Sequence, residues 1–132
     1  MNLAGLRRDV VILACAVSAG IHGALVPDHF DEGTGAGLGF LAAAVSLAGL
    51  VVWLTWRPGS TLAVAAAAAM FVGLLASYAL AITTGMPVLH PDPEAVDGLA
   101  LATKAIEAAG LLAAASLLWR PVAVNLVYAK GA

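Results

Sequence analysis

The sequence predicts an all-α integral membrane protein, an up-down bundle of four helices, and three observations carry that prediction. The chain of 132 residues is 62% hydrophobic and 11% charged, with a mean hydropathy of +0.98. It therefore lacks the polar surface that a water-soluble globule of this size presents. Its apolar residues gather in four runs, each able to supply the roughly 20 residues that a helix needs to cross roughly 30 Å of hydrocarbon. Helix breakers stand between the runs. The runs are too long, and too free of alternation, to be strands of a barrel.

The first helix is expected over residues 10–26, in the uncharged stretch between Asp9 and Asp28, with Pro27 as its stop. The second, over 38–56, lies between Glu32 and Arg57, and Arg57-Pro58-Gly59 ends it. The third covers 62–82 and runs toward a connection with three prolines, Pro87, Pro91 and Pro93. The fourth covers 99–119, is broken only by Lys104 and Glu107, and stops before Arg120-Pro121. All 132 residues form one domain. Short connections favour antiparallel neighbours. Arg7-Arg8 followed by an apolar run imitates a signal peptide; we read it as the first span.

Basic residues set the orientation. Arg7, Arg8, Arg57, Arg120 and Lys130 all fall on one side of this scheme, whereas the other side carries Asp28, Asp31, Glu32, Asp92, Glu94 and Asp97. The positive-inside rule then places both termini in the cytoplasm of a multi-pass protein of the inner (plasma) membrane. Trp53, Trp56 and Trp119 fall at the cytoplasmic ends of their helices, where an interfacial aromatic belt belongs.

Several function classes drop out. Six Lys/Arg against eight Asp/Glu give a net charge of −2, the wrong sign for a nucleic-acid partner held through phosphates. The single Cys15 excludes an internal disulfide and any CxxC site. There is no Ser/His/Asp arrangement, no HExxH and no repeated carboxylate-x-x-His pair, so nothing points to an enzyme. Small pairs four apart, Ala19 with Gly23 and Gly73 with Ser77, admit close helix contacts and a homo-oligomer or a larger membrane complex.

What remains is a set of ionisable groups where lipid should exclude them. His22, His29 and His90 all belong to the outer half, with six of the eight carboxylates. Lys104 and Glu107 lie inside the fourth run, where each would cost roughly 2.5 to 3.5 kcal/mol if it faced lipid at the helix centre. They must face the bundle. At about 1.5 Å per residue, His22 lies roughly 9 Å below Asp28, and Lys104 roughly 10 Å below Asp97. At about 100° per residue, Asp97, Lys104 and Glu107 fall within an arc of about 80°, while Ser18, His22 and His29 share a face of the first helix. If the two faces meet, they line a vestibule with an intramembrane polar cluster of Ser18, His22, Lys104 and Glu107.

The chemistry of these residues suggests a divalent transition metal. His29 and Glu32 are three apart on one helical turn, His90 comes from the other outer connection, and imidazole with carboxylate suits Cu, Zn or Fe better than Ca or Mg. About 10 Å of helix separates His22 from His29. Either His29 pairs with His90 and carboxylates such as Glu32 at the rim, or His22 joins Glu107 in a deeper site. Lys104 and Glu107 can also simply neutralise each other.

The stretch from Ile21 to Glu32, with His22, Pro27, Asp28 and His29, followed by Gly85-Met86-Pro87, Glu94, Thr103-Lys104 and Glu107, resembles a family of small four-span membrane proteins of high-GC bacteria with no known activity. The likeness covers most of the chain, and the His-x6-His element is its most specific part. Asp28 stands where that family usually has glutamate, and His90 is not part of its pattern. The resemblance implies that His22, His29, Glu32, Lys104 and Glu107 belong together, and implies no reaction. The functional expectation is thus an outward-facing His/carboxylate site for a divalent transition metal. The rivals are a proton- or ion-coupled small transporter built on His22, Lys104 and Glu107, and an accessory subunit of a larger membrane complex.

Overall fold

A computed structural model describes residues 2–87 and 91–119. Four helices make up the described chain: α1 (Leu3–Glu32), α2 (Thr34–Trp56), α3 (Thr61–Thr83) and α4 (Gly98–Leu118). All four are long and apolar enough to cross a membrane, with mean hydropathies of 2.0, 2.2, 2.0 and 1.5 over their most apolar stretches. Less than a third of each stretch is buried in the protein. Large apolar side chains such as Leu13, Val45, Leu62 and Leu112 are well over half exposed instead. Such an exterior fits lipid rather than water.

The helix starts follow ordinary capping chemistry. Asn2, Ser60 and Asp97 precede α1, α3 and α4, and their side chains accept hydrogen bonds from the amides of Gly5, Ala63 and Ala100. Each satisfies a backbone donor that the helix leaves unpaired. Arg57-Pro58-Gly59 forms the turn from α2 into α3, as the breakers indicate.

The first connection departs from the sequence reading. Helix α1 does not stop at Pro27 but runs through it for 30 residues, about 45 Å, to Glu32. Proline forfeits one backbone hydrogen bond, a loss that helices of this apolar type tolerate where neighbours support them. Gly33 alone separates α1 from α2, with its amide donating to the His29 carbonyl. This abrupt reversal depends on Gly37. A Cβ there would collide with the Phe30 ring, so only glycine lets the end of α1 lie on the first turns of α2.

Helix α1 packs along α2 and α4, α4 packs also on α3, and α1 barely meets α3. The core is assembled from small or slender residues, Val11, Ala14, Cys15, Ala63, Ala67 and Ala114, around Leu47, Leu54 and Phe71. At Gly110 of α4, side chains from α1 and α3 press against the backbone. A Cβ there would stand 2.6 Å from that of Ala14 and 2.7 Å from the Phe71 ring.

Candidate functional site

The C-terminal turns of α1 and α3 and the N-terminal turns of α2 and α4 enclose a cavity of about 540 Å³, beside the α3–α4 connection. Its walls are mostly apolar, with Leu25, Phe40 and Leu74 among them, and its polar groups are fewer: His22, His29, Ser77, Tyr78, Thr103, Lys104 and three carboxylates, Glu32, Glu94 and Asp97. Apolar walls with a few placed polar groups, in this size range, are the usual make-up of a small-molecule site.

Beneath the cavity lies a buried polar chain. Glu107 is 0% exposed, and both of its carboxylate oxygens are engaged. Lys104 Nζ donates to Oε2 at 2.7 Å and Ser18 Oγ donates to Oε1 at 2.6 Å. The serine comes from α1 and the carboxylate from α4, so the polar faces of these two helices meet. One turn above Ser18, His22 Nδ1 lies 2.9 Å from the Ser18 carbonyl and 3.3 Å from Ser18 Oγ. A carbonyl can only accept, so Nδ1 carries the proton and the Nε2 of a neutral ring keeps its lone pair. His22 is 6% exposed, and no hydrogen bond to its Nε2 is found among the described residues.

His29 repeats the arrangement about two turns higher. Its Nδ1 donates to the Leu25 carbonyl at 2.9 Å, which leaves Nε2 to face Glu32 Oε2 at 3.9 Å. Phe40 of α2 joins the two imidazoles, stacking on His29 with ring centroids 3.5 Å apart and lying tilted to His22 at 5.2 Å. On the opposite wall, Lys104 Nζ lies 5.5 Å from the centre of the Tyr78 ring, within cation–π range. The Tyr78 hydroxyl is buried without a hydrogen-bond partner among the described residues.

The structure thus brings together Ser18, His22, Lys104 and Glu107, and sets His29 and Glu32 higher on the same cavity. His90 lies outside the described residues. Among the described residues no group of three or more His, Cys, Asp or Glu side chains is placed to hold a metal ion. The deeper pairing of His22 with Glu107 as metal ligands finds no support, because Lys104 and Ser18 already occupy the carboxylate oxygens. Phe40 and Tyr78 are additions that the sequence reading passed over. The one available signal was the Tyr78 hydroxyl in the middle of an apolar run, a polar atom that needs a partner. Compared with protein-family models, curated protein sequences and solved structures, the chain gives no match.

Proposed function

We propose that the protein is a multi-pass carrier of the plasma membrane, an up-down bundle of four transmembrane helices that moves a small solute in a proton-coupled cycle. In this reading both termini are cytoplasmic, the cavity opens outward, and the chain from His22 through Ser18 to Glu107 is the proton path. The observation that carries it is the continuity of that chain. It begins at an imidazole on the cavity wall and ends at a fully buried carboxylate paired with a lysine.

The steps balance. A proton arriving on His22 Nε2 makes the ring cationic. The ring then releases its Nδ1 proton to Ser18 Oγ, while the serine hydroxyl passes its own proton to Glu107 Oε1. The imidazole is left neutral, with its proton now on Nε2, and the serine is unchanged. Protonation of Glu107 dissolves the ion pair and leaves Lys104 as an uncompensated charge at the cavity wall. Such a charge is costly away from water, so the two states of Glu107 favour different arrangements of α1 and α4. Intramembrane ionisable groups that pair with each other are the usual components of proton relays.

The test is proteoliposomes with a trapped pH-sensitive dye, an imposed pH gradient, and small amines, carboxylic acids and sugars added in turn. At least one solute should make wild-type vesicles lose the gradient faster than protein-free vesicles, and Glu107→Gln should abolish the difference. Wild-type rates equal to those of protein-free vesicles for every solute overturn the proposal.

A further inference from the structure

We infer that the solute is a small organic monocarboxylate, one carboxylate on an apolar or aromatic body, carried together with a proton; this rests on reading the cavity as the carrier's substrate chamber. Charge balance is the first argument. While Glu107 is ionised, it and Lys104 cancel as a contact pair at 2.7 Å. A proton delivered to Glu107 turns the pair into one uncompensated ammonium on the cavity wall. A single anion seated against Lys104 Nζ restores neutrality. A neutral solute leaves one positive charge there and an ammonium solute leaves two, both costly away from water. An anion without the proton leaves a net negative charge, so the two travel together.

Hydrogen-bonding capacity is the second argument. Before the proton moves, His22 Nε2 is an acceptor, because Nδ1 donates to the Ser18 carbonyl, and the Lys104 ammonium is directed at Glu107. The relay reverses both. It leaves the imidazole proton on Nε2, which becomes a donor, and it releases Lys104 from its carboxylate. Both side chains line the cavity. Tyr78, with its ring 5.5 Å from Lys104 Nζ, and the adjacent Ser77 add two hydroxyls, whereas Thr103 already donates to the Leu99 carbonyl. A carboxylate, which only accepts, takes charge-assisted bonds from such a set, and the apolar walls at Leu25, Phe40 and Leu74 receive its body.

Position supplies the third. The three carboxylates of the wall stand toward the mouth, where Glu32 ends α1, Asp97 caps α4 by accepting from the Ala100 amide, and Glu94 belongs to the connection between α3 and α4. Glu32 and Glu94 have interactions of their own, and Asp97 lies roughly 10 Å of helix above Lys104. None of them changes when Glu107 takes its proton, so the balance at the floor is set by Lys104 alone, and its one charge calls for one carboxylate. The titratable groups facing this floor are Lys104 of α4, His22 and, three residues before Ser18, the buried Cys15 of α1, and Tyr78 of α3. Helix α2 carries none along its length. Glu107 is thus the proton's destination and His22 its entrance.

Isothermal titration of the detergent-purified full chain at neutral pH tests the inference with three probes of matched shape: 3-phenylpropionate, 3-phenylpropanamide and 3-phenylpropylammonium. The carboxylate should bind at least about tenfold more tightly than either of the others, the equivalent of one charge-assisted hydrogen bond. Titrations in buffers of different ionisation enthalpy should show about one proton taken up per carboxylate bound. Glu107→Gln, a neutral stand-in for the protonated acid, should still bind the carboxylate but take up no proton. Lys104→Met with Glu107→Leu, which strands no charge, should weaken the binding at least about tenfold. The wild-type measurements and this double variant decide the matter on their own should Glu107→Gln not fold. Binding of the amide or the ammonium as tight as that of the carboxylate, no carboxylate binding, wild-type binding without proton uptake, or binding undiminished in the double variant overturns the inference. Proton uptake that persists in Glu107→Gln overturns it as well, because the acid is then bound in its own neutral form. Its failure is distinguishable from that of the carrier proposal: flux with an amine or sugar and no carboxylate binding sinks this inference alone, and carboxylate binding with proton uptake but no flux sinks the carrier alone.

Discussion

The two ends of this molecule are built from the same four helices, yet one is held apart and the other is closed. Where α1 meets α2 and α3 leads into α4, the helices surround about 540 Å³ of space with two imidazoles, a tyrosine, a lysine and three carboxylates on its walls. At the opposite end the cavity is only about 290 Å³, and it is lined by the first turns of α1 and α3 and the end of α4. Arg8 there donates to the Pro58 carbonyl. Between the two lies a tightly packed stretch that begins at the level of Glu107, in which the small residues Ala14, Gly110 and Ala114 pack around Phe71. In the packed half Ala14 and Gly110 make room for the Phe71 ring, and in the other half Phe40, Tyr78 and the histidines line the cavity. The charged pair sits at the boundary and forms the floor of the open half.

The comparison breaks most sharply at that floor. Glu107→Ala leaves the Lys104 ammonium without its partner at the floor of the cavity, and removal of one partner of a buried pair costs on the order of 3–5 kcal/mol. The double substitution Lys104→Met with Glu107→Leu removes both charges and should cost far less, because no charge is stranded. Denaturant titration of the detergent-solubilised protein reads both. A single variant as stable as the double one would mean that the pair is hydrated from the cavity and that the floor is not sealed.

The next effect, smaller, belongs to the closed half. Gly110→Val places a branched side chain where even a Cβ meets Ala14 and Phe71. Overpacking of this kind costs about 1–3 kcal/mol, so the unfolding midpoint should fall by that equivalent while the affinity of the cavity for its ligand is retained. A loss of ligand affinity as large as the loss of stability would show that the two halves are not independent.

How much of this was legible in the sequence differs between fold and site. Four apolar runs, three of them free of charge, and the breakers between them fix the number of helices, because hydropathy over such lengths has few other outcomes. The course of the first connection was not legible. A proline rule learned from hydrated helices stops α1 at Pro27, whereas α1 continues to Glu32 and turns on Gly33, with Phe30 lying over Gly37. For the site, Ser18, His22, Lys104 and Glu107 were visible as polar atoms that lipid cannot accommodate, and helical arithmetic brought their depths and faces together. Which partner each group takes was not visible. Spacing permits Glu107 to face either an ion or Lys104; the lysine one turn away and a serine from another helix decide it. Phe40 and Tyr78 escaped notice for the opposite reason, since aromatic residues in an apolar helix need no explanation until a histidine or a lysine is found against them.

The smallest structural effect carries the sharpest distinction between a floor that only seals and one that conducts protons. Ser18→Ala removes one hydroxyl and leaves the Lys104–Glu107 pair, the cavity walls and the bond from His22 Nδ1 to the Ser18 backbone carbonyl in place. A side-chain hydrogen bond between membrane helices is worth about 0.6 kcal/mol on average, so the unfolding midpoint should hardly move. If the cluster is structural, solute-dependent proton flux should hardly move either. If protons travel from His22 to Glu107, the 2.6 Å link between Ser18 Oγ and the carboxylate is the only step joining α1 to α4 among the described residues of that path. Flux should then fall to the level of Glu107→Gln, and Ser18→Thr, which restores a hydroxyl, should recover it. Flux retained in Ser18→Ala would remove the hydroxyl from the path and leave Glu107 reachable only from the Lys104 side.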